Sequence, residues 1–472
     1  MLLSLKAAGI ILSVLLLFLV PVKFGVSVSN QAKIIIETPK TLIEWIFANY
    51  PNSLGQYLMA VIAFCALVIF VLSFKIKPSL KRGRDFGYIK KLIVPLIGWV
   101  LFSAAILFSD FVMPGGINFN NVNFQFLLYG AWFFSVFIFF QNKDSRIIAV
   151  LFVVAAGALV CKEAIAQHFG GLEYMREKVY TDAGFKSFAD YTNFTLEANK
   201  DVHTRQFIQK ITSPRVFGTF IYPNALGGFI IILFPLCVGL FKSINLRFAK
   251  IFAALVFCLA LIALLFSKSK ASIVISAGSL MALFWLAQRG AQISKHFLLI
   301  TFLSAGIIVV GMLFGGYGSG LSKKFKSTGG ARLDYWKAAA KMIRENPLVG
   351  RGTDGFGKNY LRFKRPGAED TQLPHNFILN IWVDYGVAGV AGIILALVFP
   401  AFMSWKYLLK NKNSFDWLTA SCLVAGTGFL LHCLVDFDFH TMGIAVPAIF
   451  AIVVSNKKSK TGRPGLFILR KS

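Results

Sequence analysis

The chain has 472 residues, 56% of them hydrophobic, with 49 Phe and a formal net charge of +28, and its mean hydropathy is +0.67. That much apolar sequence excludes an ordinary soluble domain. The charge comes without a nucleic-acid reader motif, so it points to membrane lipid or another anionic partner and excludes nucleic acid.

The apolar residues fall in blocks of about 20, the length that crosses a bilayer as helix. Twelve are predicted, at 5–22, 55–75, 92–109, 124–140, 147–167, 216–241, 249–266, 271–288, 297–318, 376–402, 417–434 and 441–455. Backbone polar groups must pair internally in lipid, so the expected fold class is an all-α polytopic membrane protein in one domain spanning 1–472. Residues 1–23 read as a retained first helix, because the apolar run reaches Pro21 and Lys23 without a small-x-small cleavage site.

Orientation follows from the short loops. Lys75, Lys77, Lys81, Arg82, Arg84, Lys90 and Lys91 crowd the loop 75–91 against Asp85 alone, and Lys406, Lys410 and Lys412 fill another connection. The tail 456–472 carries Lys457, Lys458, Lys460, Arg463, Arg470 and Lys471, while loops 110–123 and 435–440 have no Lys or Arg. With twelve spans the basic loops share one side, predicted to be cytoplasmic together with both termini.

Two longer insertions then fall outside the cytoplasm. The first, 168–214, is charge-balanced and rich in Tyr, Phe, Asp and Glu. The second, 319–374, holds twelve Lys and Arg against five Asp and Glu, an excess that suits an anionic ligand. Within it a helix is predicted over Ala331 to Glu345, with Leu333, Trp336, Ala340 and Ile343 on one face and Arg332, Lys337, Lys341 and Arg344 polar. Asn346 and Pro347 stop it. Such a helix either lies on the membrane surface with solvated charges or turns Arg332 toward a ligand.

Several motifs carry alternatives. The run Gly350 to Gly355 (GRGTDG) spells a dinucleotide fingerprint but lacks the strand and helix that fingerprint needs, so its glycines read as turn formers. Arg215 is followed by Tyr222, Pro223, Asn224 and two glycines inside an apolar block, and irregular backbone at membrane depth marks a cavity lining. Lys268 and Lys270 occupy a tight turn, as anchors or as ligand contacts. Asp384, early in a span beside Gly386 and Gly389, is a substrate-cavity candidate or a structural ion pair. Asp436, Asp438 and His440 suggest a metal or a proton relay but are too few donors to claim a metal site, and the six cysteines all sit in or at the ends of apolar blocks without metal or disulfide spacing. No metal and no cofactor are expected.

His375 stands between the basic insertion and the next apolar block, in Pro374-His375-Asn376. A histidine there suits proton transfer at the water–lipid boundary, and arginines nearby suit a phosphate leaving group.

These segments resemble the O-antigen ligase and polymerase superfamily of bacterial envelope enzymes. The resemblance is carried, in order, by RVFGTFIYPN at 215–224, SKSKA at 267–271, RLDYW at 332–336 running on to NPLVGRG at 346–352, and PHN at 374–376 continuing to DYGVAG at 384–389. It implies a glycosyltransferase type-C-like helical fold with about twelve transmembrane helices and two periplasmic loops, 168–214 and 319–374, in the bacterial inner membrane. The implied activity is metal-independent, inverting transfer of glycan from undecaprenyl diphosphate to a lipid A core sugar, to a second lipid-linked glycan or to a protein hydroxyl. Carried over by motif, His375 activates the acceptor hydroxyl, Arg215, Arg332 and Lys270 hold the diphosphate, and Tyr222, Asn224, Asn376 and Asp384 line the cavity. At Lys270 the family's usual arginine is replaced, which keeps the charge and loses the fork. Ligase is the favoured activity and polymerase the alternative. A transporter of polyanionic lipid or sugar is the competing class, but it requires repeat-related broken helices, and the sequence shows no internal repeat.

Overall fold

A computed structural model describes residues 2–25, 50–76, 86–113, 121–198, 208, 212–290, 321–410 and 415–456. The chain is an all-α polytopic membrane protein, with no strand among the described residues. Nine described helical stretches are long and apolar enough to cross a membrane, and two shorter apolar helices join them. The predicted block 297–318, the loop core 77–85 and the tail from 457 lie outside the described residues.

The first half comprises α1 (Leu2–Lys23), α2 (Asn52–Ile76), α3 (Phe86–Val112), α4 (Asn121–Phe139) and α5 (Lys143–Ala166). A π-helical kink at Gln167–Gly171 turns α5 into α6 (Leu172–Asp182), and α7 (Phe188–Ala198) follows within the first insertion. The second half begins with α8 (Pro223–Ser243), α9 (Arg247–Ser267) and α10 (Lys270–Gly290). Next come α11 (Leu321–Glu345), α12 (Gly355–Phe363), the kinked α13 (Phe377–Ile393) and α14 (Phe399–Lys410). The last pair is α15 (Trp417–His432) and α16 (Met442–Ser455).

Helix α8 packs against α5, α9, α10, α15 and α16, and is buried along most of its length. Helix α16 is buried at every position. Both are apolar all round, the pattern expected of helices enclosed on every side. Outer helices such as α2 and α9 keep large apolar residues exposed, including Phe64, Val71, Phe248 and Leu255, as a lipid-facing surface requires.

The predicted helix in the second insertion exists, but it starts at Leu321, and its buried stripe differs. Tyr335, Ala338, Ala339 and Met342 are buried, while Leu333 is 51% exposed and Ala340 also faces out. The reason is the partner: α12 and α13 supply Phe356, Tyr360, Phe363 and Val383, which close a small second core over that face. Helix α11 is therefore docked on protein along this face. Lys337 and Lys341 remain exposed on the other side.

Gly386 explains how α13 joins this core. Its φ is 66°, and a Cβ there would lie 2.0 Å from the Leu348 carbonyl oxygen, so only glycine fits. The break frees backbone groups that the loop after α11 satisfies: Val387 N–H donates to Pro347 O at 3.0 Å, and Arg351 N–H to Val383 O at 2.8 Å. Gly350 and Gly352 take positive φ in that loop, as turn formers do.

Candidate active site

The segment leading into α8 is built first by Gln167, from the α5 kink. Its Oε1 accepts from the N–H groups of Phe217 (3.0 Å) and Gly218 (2.8 Å), and its Nε2 donates to Gly218 O at 2.8 Å. Thr219 Oγ1 adds a bond to Pro21 O at 2.6 Å. The apolar block predicted from 216 is thus irregular up to Tyr222, and its backbone is satisfied by protein, as the membrane setting demands.

This clamp aims Arg215. Its Nε donates to Ser267 O at 2.8 Å and its Nη2 to Asn224 Oδ1 at 2.8 Å. Ser267 belongs to the α9–α10 turn, where Lys268 takes a left-handed conformation (φ 51°) and is exposed. Lys270 opens α10 immediately after and is half-buried.

His375 enters from the opposite side. Trp336 Nε1 donates to Pro374 O at 3.1 Å, and the Tyr335 ring stacks near the imidazole at 5.9 Å between centroids. Burial, with Glu369 and Tyr360 nearby, pushes the Tyr335 phenol well above its ordinary range, so this neighbour is a neutral ring. His375 has φ 51°, sparsely populated for a residue with a side chain and tolerated better by His and Asn than by most. Asn376 then caps α13, accepting from Leu379 N–H at 3.0 Å, worth about 1 kcal/mol. Phe377 N–H donates to Cys433 O at 2.8 Å, fixing this strap to the α15–α16 turn.

That turn supplies the residue where everything meets. Asp436 Oδ2 accepts from Asn224 Nδ2 at 2.9 Å and lies 3.6 Å from Arg332 Nη2. Asp436 Oδ1 lies 3.4 Å from His375 Nδ1, an ion-pair distance without hydrogen-bond alignment. Arg215, one asparagine removed, completes the set. Burial alone would raise the Asp436 carboxyl. The polar contact and charge of His375, with the charges of His432 and Arg332, outweigh burial and hold it below the usual carboxylate range. Phe437 closes the cluster, edge-on to His375 at 5.0 Å and to Tyr222 at 5.7 Å.

The structure thus brings together His375, Arg215, Arg332, Asn224 and Tyr222, with Asn376 beside them and Lys270 on the adjoining turn. Asp384 is elsewhere. Its Oδ1 accepts from Phe356 N–H at 3.0 Å, its Oδ2 from Asn380 at 2.9 Å, and its carbonyl from Gly352 N–H at 2.9 Å. It braces the loop after α11, together with Asp110, which takes two bonds from Thr353. Sequence reasoning missed Gln167 entirely and read Asp436 as a metal ligand in too small a set or as part of a proton relay, with its role left open. Its one legible signal was an acidic residue in a short loop without Lys or Arg. Among the described residues no three His, Cys, Asp or Glu side chains are grouped to hold a metal ion.

Fold and site together define a multi-pass membrane protein with a basic, histidine-bearing cluster where several helix ends meet. Residues 253–394 match the family described as O-antigen ligase, so this stretch of the chain is similar to that family. The matched stretch includes the Lys268 turn, Arg332 and His375; Arg215 and Asp436 lie outside it. The chain is also similar to an uncharacterized protein of Haemophilus influenzae, 32% identical over 112 residues, which are 22% of this chain and 27% of that protein. The similarity therefore spans about a quarter of that relative's length.

Proposed function

We propose that the chain is a glycosyltransferase that moves glycan from an undecaprenyl-diphosphate donor to an acceptor hydroxyl, a sugar of lipid A core, at the periplasmic face of the bacterial inner membrane. The observation that carries this reading is the convergence on Asp436 of basic groups from distant segments: Arg215 through Asn224, Arg332 and His375. One buried carboxylate among more positive groups leaves a surplus of positive charge, which suits a diphosphate.

In this reading the His375 ring turns Nδ1 to Asp436 and offers Nε2 to the acceptor. Nε2 takes the hydroxyl proton as the acceptor oxygen attacks the anomeric carbon, and the bond from that carbon to the diphosphate oxygen breaks. Attack opposite the leaving group inverts the anomeric centre. Asp436 stabilises the imidazolium that forms, and Arg215, Arg332 and Lys270 take up the charge on the departing lipid diphosphate. Both substrates carry lipid tails, which explains a site at the ends of membrane helices.

A second reading, polymerase, is favoured by the two insertions, both helical and both flanking the cluster's segments, because a polymerase holds two lipid-linked chains. The two readings share the site and differ in the acceptor.

The test is His375→Asn in a complemented knockout, read as the surface glycan ladder. Asparagine tolerates the left-handed backbone, so loss of activity reports the imidazole and not strain. The ladder should vanish with the protein level unchanged. A full ladder would remove His375 from the mechanism and the transferase reading with it.

A further inference from the structure

Behind the cluster lies a second polar chain that the proposed chemistry does not use. His432 Nδ1 meets Asp438 Oδ2 at 2.5 Å, His432 Nε2 shares a hydrogen bond with Ser272 Oγ at 3.0 Å, and Ser272 Oγ shares another with Ser269 Oγ at 2.8 Å. All four residues are at most 2% exposed. Asp, His and Ser in this order would suggest an activated nucleophile, but with Ser272 at 0% exposure no substrate reaches its hydroxyl. The chain has to act through what it connects.

Its ends are informative. Asp438 lies two residues from Asp436, in the α15–α16 turn. Ser269 lies in the α9–α10 turn, where its carbonyl accepts from Ile273 N–H at 3.0 Å in the first turn of α10, and it adjoins left-handed Lys268. Ser267, in the same turn, holds Arg215 through its carbonyl. The chain thus joins the turn behind the phosphate-holding side chains to the turn that carries the partner of His375.

Helix α8 is notched to admit it. A Cβ on Gly227 would lie 2.1 Å from Ser272 Oγ, and one on Gly228 would lie 2.2 Å from Asp438 Oδ2. These adjacent glycines in a helix interior cost roughly 1 kcal/mol each relative to alanine, and the space they leave is filled by Ser272 and Asp438. In low dielectric each member left unpaired would be costly, so the chain is held closed as a unit.

We propose that Asp438, His432, Ser272 and Ser269 form a positioning strut that fixes the distance between the Ser267–Lys270 turn and Asp436. The strut sets the spacing between the diphosphate-holding and hydroxyl-activating halves of the site. The spacing role rests on the transferase reading; the strut as a mechanical link does not.

The experiment therefore has two arms, both on the full chain in lipid nanodiscs. In the first, spin labels on Lys268→Cys and Leu434→Cys, in a chain whose six native cysteines are replaced, report the distance between the two turns. The distribution should be narrow, and should broaden when Ser272→Ala or Asp438→Asn is added. In the second, transfer from an undecaprenyl-diphosphate-linked glycan is measured for Ser272→Ala, Asp438→Asn and the double variant, per folded molecule and below the unfolding temperature. A misplacement of about 1 Å costs roughly 100-fold, so donor KM should rise and kcat fall by about 10- to 100-fold in total. The double variant should be no worse than the poorer single, as for residues acting as a unit. An unchanged distance distribution, or wild-type KM and kcat, or losses that multiply in the double variant, each overturns the strut. Broadening in the first arm, with no transfer by the wild-type chain in the second, leaves the strut standing and sinks the transferase reading.

Discussion

Asp436→Asn tests the centre of the cluster with almost no change of shape. The carboxylate side chain is 4% exposed and faces His375 at 3.4 Å and Arg332 at 3.6 Å, partners 28% and 22% exposed. An imidazolium and a carboxylate at that separation attract by about 5 kcal/mol at an effective dielectric of about 20. Water at the partly open histidine, and reorientation of the new amide, leave about half of that. The expected loss is therefore about 2–3 kcal/mol in the step that creates the imidazolium, or roughly 100-fold in kcat. Donor KM should change little, since Asn224 and Ser267 still hold Arg215. The assay is transfer by purified protein at saturating donor and acceptor. If kcat stays within about threefold of wild type while His375→Asn is inactive, the histidine works without Asp436 and the convergence is coincidental.

The same variant carries a pH prediction. Asp436 is depressed on folding, so its stabilising contribution is present above the unfolded carboxyl value of about 3.9 and is lost only as pH falls through the lower folded value. The gap in thermal midpoint between wild type and Asp436→Asn should persist in full down to about pH 4.5, begin to narrow near about pH 4 and close only as pH falls on toward the lower folded value; a gap already closed at about pH 5 would show that Asp436 is not held ionised by its neighbours. Arg215→Lys and Arg332→Lys should each lose about 10- to 100-fold in transfer, because lysine keeps the charge but not the forked bonds, worth about 1.5–3 kcal/mol; wild-type rates in both would make them anchors. Chelator should leave the purified enzyme's rate unchanged, and strong inhibition by EDTA reversed by a divalent ion would return Asp436 and Asp438 to consideration as ligands. Cysteine at Ser327 should react with a membrane-impermeant thiol reagent in cells with a permeabilised outer membrane, and cysteine at Ser79 should not; the opposite pattern would place His375 in the cytoplasm and end the periplasmic reading.

Much of the fold was legible because the bilayer imposes a strong and local rule. A run of about 20 apolar residues must be helical, and α1 to α5, α9 and α10 follow their blocks closely. The basic insertion and His375 could also be read locally, since a charged stretch between apolar blocks stands out without any partner. The faces of helices were harder. Leu333 was placed on the apolar face with Trp336, Ala340 and Ile343, yet α12 and α13 cover the face of Tyr335 and Met342, and nothing within α11 specifies which apolar stripe a distant segment will choose.

By itself, then, the sequence determined the class of protein, its helices and most of the side chains that cluster around His375, since each depends on composition or on motifs a few residues long. Only the tertiary structure decided how they meet. Asn224 and Asp436 are separated by 212 positions and joined at 2.9 Å; Gln167 holds a segment 51 positions away; and Asp384, which reads like a cavity acid, is turned by the Gly386 break to brace a loop instead. Hydrogen bonds and charge pairs act over a few ångströms in space and have no fixed length along the chain. Their partners appear only once helix packing has brought the ends of the segments together.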